Sequence, residues 1–194
     1  VISLVALYVT YLIANIEASL YLFAGIFTYG IVYTVWLKRK TWMNIVIGGL
    51  AGSFAVLVGS AATGDTFSPP ALILAVVLFL WTPPHFWALS ISFKDDYQKA
   101  SIPMLPVVST ITVTSHAIFW HTLLLVLLSF TLVFYSMHWV YLLFAISGGL
   151  YFLYASFQLL RQQNSLWAKK TFFASIIHLG LLLLGAMFDA MIFG

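Results

Sequence analysis

The chain has 194 residues, 63% of them hydrophobic and 7% charged, with a net charge of +3 from eight Lys and Arg against five Asp and Glu. A soluble domain carries about 25% charged residues and could not hide this much apolar surface in one core, so the composition excludes a water-soluble protein and implies an integral membrane one. The lack of cysteine excludes disulfides, thiolate catalysis and cysteine-held metals, and the few loop cations do not suggest a nucleic-acid partner.

Val1 to Asn15 is apolar but short for crossing about 30 Å of hydrocarbon, and it lacks the basic start and small-residue cleavage site of a signal peptide. With Val rather than Met at its head, it predicts a helix whose beginning lies outside the sequence. Six runs of spanning length follow: Ala18 to Leu37, Met43 to Thr63, Pro70 to Phe93, Ser109 to Tyr135, Trp139 to Leu160 and Thr171 to Phe193. Helices satisfy their own backbone hydrogen bonds in lipid, and the alternating pattern of a membrane barrel is missing. The predicted fold class is all-α, a polytopic transmembrane helical bundle of about seven helices forming a single domain over residues 1–194.

If each run crosses once, Lys38, Arg39, Lys40, Lys94, Lys99, Arg161, Lys169 and Lys170 emerge on one side, and Glu17, Asp65 and Asp189 on the other. The bias of Lys and Arg assigns the basic side to the cytoplasm or matrix. Lys38, Arg39 and Lys40 act first as topology determinants, and Arg161, Lys169 and Lys170 as anchors. In "GGLAG", Gly48 and Gly52 have the spacing of close helix packing.

The run from Pro70 ends in "WTPPHFWALSISFKDDYQKASIPMLPVV", Trp81 to Val108. Pro83 and Pro84 remove two backbone donors and disfavour helix at Thr82, which predicts a kink or unwinding there, facing protein or a cavity. If the helix resumes, Ser92 and Asp96 fall within about 20° of the face of His85, with Asp96 about 16 Å along the axis, a polar stripe from membrane interior to mouth. An ionisable side chain at that depth points to function, and the plain alternative is a histidine that satisfies a carbonyl beside the proline kink. In "KDDYQK", Asp95 and Asp96 are hard oxygen ligands able to hold Mg²⁺ against a diphosphate, with Lys94 and Lys99 neutralising phosphate charge. By spacing alone the signal is weak, since adjacent acids flanked by lysines are usually a solvated loop. His116, His121 and His138 have no acidic or histidine partner at ligand spacing and receive no role.

The string from Trp81 to Val108 closely resembles the second signature region of the protohaem IX farnesyltransferases (haem O synthases), a group within the UbiA superfamily of membrane prenyltransferases. "YTVWLKRKTWMNIVIGGLAG" from Tyr33 is similar to the segment leading into that group's fifth helix, and "AKKTFFASIIHL" from Ala168 to the start of its last one. The resemblance covers nearly the whole chain. It implies a bundle of about nine helices, of which the third to ninth are present here, around a cavity opening to the cytoplasm or matrix. It implies Mg²⁺ as cofactor, farnesyl diphosphate and haem B as substrates, and a bacterial cell membrane or mitochondrial inner membrane as the site of action. It also implies association with terminal-oxidase assembly factors.

On the matching positions, Asp95 and Asp96 would hold the metal and Lys94 and Lys99 the diphosphate. His85 would contact the haem as iron ligand or propionate partner. Trp81, Tyr97 and Asn44 join it as candidate binding residues, and Thr41 lies in the same string as Asn44. Ionising an allylic diphosphate yields a carbocation and pyrophosphate, so the leaving group needs metal and cations while the carbocation must be kept from water. Ring faces of Trp81, Phe86 and Trp87 would stabilise the cation. The haem vinyl group would attack, and water would complete a hydroxyethylfarnesyl side chain.

The chain departs from the family at three points. The first acidic motif, normally after the second helix, has no counterpart, so the polypeptide alone is expected to be inactive. "SFAVLVG" from Ser53 lacks the usual prolines, and His178 stands where Tyr is common. Other functions compatible with the sequence are prenyl transfer to a quinone precursor, haem binding without chemistry, and transport, although transporters usually show an internal repeat that is missing here.

Overall fold

The computed structural model describes residues 1–135 and 137–194 of the chain. Helix α1 (Ile2–Ile13) leads into α2 (Ile16–Phe27), whose N-terminus is capped by the Asn15 side chain accepting from the Ala18 N–H at 2.8 Å. From Thr28–Leu37 the same helix continues in wide π-type turns, closed by the Lys38 N–H donating to the Tyr33 carbonyl five residues back at 2.8 Å. Then come α3 (Asn44–Gly48), α4 (Leu50–Ala62), α5 (Pro69–Ser92), the short α6 (Lys94–Lys99) and α7 (Leu105–Val108), and α8 (Ile111–Phe130) with a 3₁₀ end at Thr131–Phe134. The chain finishes with α9 (Trp139–Gln162) and α10 (Ser165–Phe193). Among the described residues there is no strand, and six helical stretches are long and apolar enough to cross a membrane.

These stretches coincide with the six predicted runs. The largest boundary difference is at α10, which starts at Ser165 rather than near Thr171 because the Asn164 side chain caps it, accepting from the Trp167 N–H at 2.9 Å. Of the kink or unwinding expected at Pro83 and Pro84, the unwinding does not occur: α5 runs through both, and the interruption falls at Phe93 (φ −122°, ψ 33°). Thr82, Pro83, Pro84 and His85 are all buried, so packing holds this stretch helical although two backbone donors are missing.

Helix α5 is the hub. It packs against α4 on one side and α8 and α10 on the other, while α9 closes a three-helix wall with α8 and α10. That wall is tight because small residues let backbones approach. A Cβ on Gly149 would sit 2.9 Å from Val126, and one on Gly185 2.6 Å from Phe144. Glycines around α3 and α4 do the same: a Cβ on Gly48 would meet Tyr33 at 2.8 Å, on Gly49 Thr82 at 3.1 Å and on Gly52 Leu78 at 3.3 Å. The opposite flank is looser, since among the described elements α1 packs on α2 and contains no buried residue.

Polar contacts separate the two ends of the bundle. At one end Asn15 donates to the Ala61 carbonyl (2.6 Å), Thr66 to Glu17 (2.6 Å), and the backbone N–H of His138 to Asp189 (2.9 Å). At the other, Thr112 donates to Gln163 (2.9 Å), and the Lys169 ammonium lies 5.9 Å from the Phe93 ring. Glu17 and Asp189 thus belong to one end and the cations of α6 and α10 to the other.

Candidate active site

Because α5 stops at Phe93, α6 lies across the end of the bundle. Its Tyr97 is half-buried against the core cluster of Trp87, Ala88 and Met104, which anchors the helix, while Lys94, Asp95, Asp96 and Lys99 stay exposed. A further tie comes from the Ile102 N–H, which donates to the Tyr97 carbonyl at 3.0 Å after a left-handed turn at Ser101 (φ 54°). Burial pushes the Tyr97 phenol above its ordinary value, so it remains a hydrogen-bond donor at neutral pH.

The four charged residues line a cleft of about 340 Å³ with Ser92. Among the described residues the one ion pair is His138 with Asp189, so neither carboxylate of α6 is held by a lysine. Adjacent positions on a helix point about 100° apart, and no group of three potential ligand side chains occurs among the described residues. The donor set therefore fits Mg²⁺ only in its usual manner, one or two carboxylates with phosphate oxygens completing the shell. The break at Phe93 also takes Asp96 off the continuous stripe predicted from His85.

His85 sits on the last turns of α5, 8% exposed. Its ring stacks on Trp81 (centroids 4.2 Å, 19°) and on Phe172 of α10 (4.6 Å, 30°), with Phe86 edge-on at 4.9 Å. The Nδ1 atom is 2.7 Å from the Ser175 hydroxyl. Nε2 has no partner among the described residues. Among the described residues His85 makes its hydrogen bond to a hydroxyl and none to a carbonyl.

On the other side of α5, Thr82 and Phe86 face Tyr33, Gly48, Gly49 and Gly52 across a mainly apolar cavity of about 260 Å³. The aromatic residues named from sequence separate here. Phe86 lines the cavity, Trp81 stacks on His85 and donates from Nε1 to the Ser175 carbonyl (2.8 Å), and Trp87 is buried in the core rather than on a cavity wall. Asn44 is fully buried and donates from Nδ2 to the Lys38 carbonyl at 3.0 Å, so it holds the basic loop instead of facing the cavity.

Several participants escaped the sequence reading. Phe172 and Ser175 lie in the string from Ala168, but nothing in it tells which helix they meet. Lys169, assigned as an anchor, reaches the α5–α6 junction. His138, given no role, is bonded through Nδ1 to Asp189 at 3.0 Å, a partner 51 residues away.

The sequence profile of the UbiA prenyltransferase family matches residues 1–177. The chain is 54% identical over 181 residues to "Protoheme IX farnesyltransferase 2" of Paramagnetospirillum magneticum, covering 93% of this chain and 63% of that protein. It is 44% identical over 177 residues to "Protoheme IX farnesyltransferase" of Gloeobacter violaceus, covering 90% and 57%. It thus spans about three fifths of the length of these curated relatives. No solved structure matches it. The profile match over most of the chain, together with an all-helical membrane bundle carrying an acidic, cation-flanked cleft, establishes that the chain belongs to the UbiA prenyltransferase family.

Proposed function

We propose that this chain is a single membrane-embedded prenyltransferase domain that transfers a farnesyl group from farnesyl diphosphate to a vinyl group of haem B, giving haem O. The observation that carries the reading is the arrangement along α5: a polar cleft with two carboxylates that no lysine holds among the described residues, and an apolar cavity and a partnered histidine within the next turns. Asp95 and Asp96 hold Mg²⁺ against the diphosphate, and bound there the metal supplies charge neutralisation for the leaving pyrophosphate. Lys94 and Lys99 bind the remaining phosphate oxygens. Phe86 offers a ring face to the allylic cation, while the apolar wall of Gly48, Gly49 and Gly52 keeps water away. His85 contacts the haem through Nε2. Tyr97 fixes α6, and Asn44 fixes the basic loop at Lys38.

The lysine-bearing end faces the cytoplasm of a bacterium or the mitochondrial matrix, in keeping with the bias of Lys and Arg. A terminal-oxidase assembly factor in the same membrane would take up the product. The test uses the full-length protein, purified with farnesyl diphosphate, haem B and Mg²⁺. Asp96→Asn should lower haem O formation well over tenfold with folded protein still in the membrane, since an exposed carboxylate contributes little to packing. Near-normal output would return the α6 carboxylates to a solvated loop. A protein that binds haem without transforming it would respond to neither Mg²⁺ nor diphosphate.

A further inference from the structure

We infer that Ser175 is a positioning residue that fixes the tautomer and ring orientation of His85, so that Nε2 presents a lone pair to the iron of the haem substrate. The inference rests on the proposed reading of His85 as the haem contact and adds the group that makes that contact possible.

The serine hydroxyl has a single hydrogen. It lies 2.6 Å from the Phe172 carbonyl and 2.7 Å from His85 Nδ1. A carbonyl only accepts, so the hydroxyl hydrogen goes to it, and the oxygen is left to accept from Nδ1–H. Both bonds exist together only when His85 carries a proton on Nδ1, and iron ligation selects the neutral form of that ring. Nε2 is then an unprotonated nitrogen with its lone pair in the ring plane.

That plane is fixed from both sides. Roughly parallel rings at 4.2 Å and 4.6 Å cannot share one face of an imidazole, so Trp81 and Phe172 sandwich it. Trp81 is itself held by the same serine, since its Nε1–H donates to the Ser175 carbonyl at 2.8 Å. Phe86 closes one edge. The Nε2 edge is the part left without a protein partner among the described residues, on a side chain that keeps 8% of its surface exposed. Ser175 therefore acts twice, through its side chain on Nδ1 and through its main chain on the ring that stacks on His85. Histidines that bind metals are commonly oriented this way, with the second ring N–H donated to a fixed acceptor, and loss of the acceptor costs about 10–100-fold in metal affinity.

The experiment titrates ferric haem B into the full-length protein and records the absorption and electron-paramagnetic-resonance signature of a histidine-ligated iron. Diphosphate affinity and melting temperature are measured on the same samples. His85→Ala should abolish the signature. Ser175→Ala, and Ser175→Cys, which keeps the volume but accepts hydrogen bonds weakly, should weaken haem binding about 10–100-fold and shift the iron from low toward high spin. Diphosphate affinity and melting temperature should stay near the parent. If His85→Ala loses the signature while both Ser175 variants keep the parental spectrum and affinity, the haem contact stands and the positioning role is overturned. Parallel losses of haem and diphosphate affinity that track melting temperature would also overturn it, as a packing effect. A parental signature in His85→Ala would sink the haem contact itself, and with it this inference.

Discussion

Replacing Asp189 with alanine should destabilise the bundle more than any change at an exposed charge. Helix α9 has no side-chain cap of its own; its first donors are satisfied by the Asp189 carboxylate on α10, which accepts from the backbone N–H of His138 at 2.9 Å and of Tyr141 at 3.0 Å. Asp189 is 1% exposed and Tyr141 fully buried, so water cannot replace the lost acceptor at Tyr141. Loss of the cap costs about 1 kcal/mol and a stranded buried donor about 1–3 kcal/mol, with less at His138, whose side chain is 46% exposed. Together these amount to about 2–4 kcal/mol. At roughly 2–4 °C per kcal/mol for a chain of this size, the melting temperature should fall by about 10 °C. Thermal unfolding in detergent, followed by circular dichroism, reads it directly. His138→Ala keeps both backbone bonds and removes only a half-exposed pair, so it should cost less than about 1 kcal/mol. An Asp189→Ala protein that melts with the parent, or a His138→Ala protein that melts equally low, would refute the capping argument.

His178 is fully buried with neither ring nitrogen bonded among the described residues, and an unsatisfied buried group costs about 1–3 kcal/mol, so His178→Leu should raise the melting temperature by several degrees. A drop would mean that the imidazole acquires a partner when the protein works. For topology, Arg39→Cys and Ser165→Cys should label from one side of sealed vesicles and Asp65→Cys from the other; labelling of positions 39 and 65 from the same side would contradict the arrangement of helix ends.

The spans were legible because hydropathy alone decides which segments cross a lipid core, and the basic residues marked their shared end. Helix α10 was under-read because Lys169 and Lys170 interrupt the apolar run, although long cationic side chains sit readily on an interfacial helix; Lys170 lies 4.3 Å from the centre of the Trp167 ring. At the proline pair neighbours decide against unwinding: Gly49 lets the start of α4 press against Thr82, and α5 stays helical. The cleft residues were visible as a string. Pairings such as His85 with Ser175, 90 residues apart, or His138 with Asp189, 51 apart, depend on which helices touch, and no spacing in the sequence encodes that.

The wide turns of Thr28–Leu37 set an angular phase. In a regular α-helix the residue five places after Tyr33 would be rotated by about 140° around the axis, away from the cavity that Tyr33 lines. Here the Lys38 ammonium comes back over the Tyr33 ring, 5.9 Å from its centre, and the Asn44 amide fastens that position through the Lys38 carbonyl. The bearing of the basic loop toward the cavity is thus a property of backbone winding, written into the number of residues in the segment as much as into their identities. A one-residue contraction there, with every side chain kept, would swing Lys38 by about 100° and uncouple the cation from the cavity beneath it.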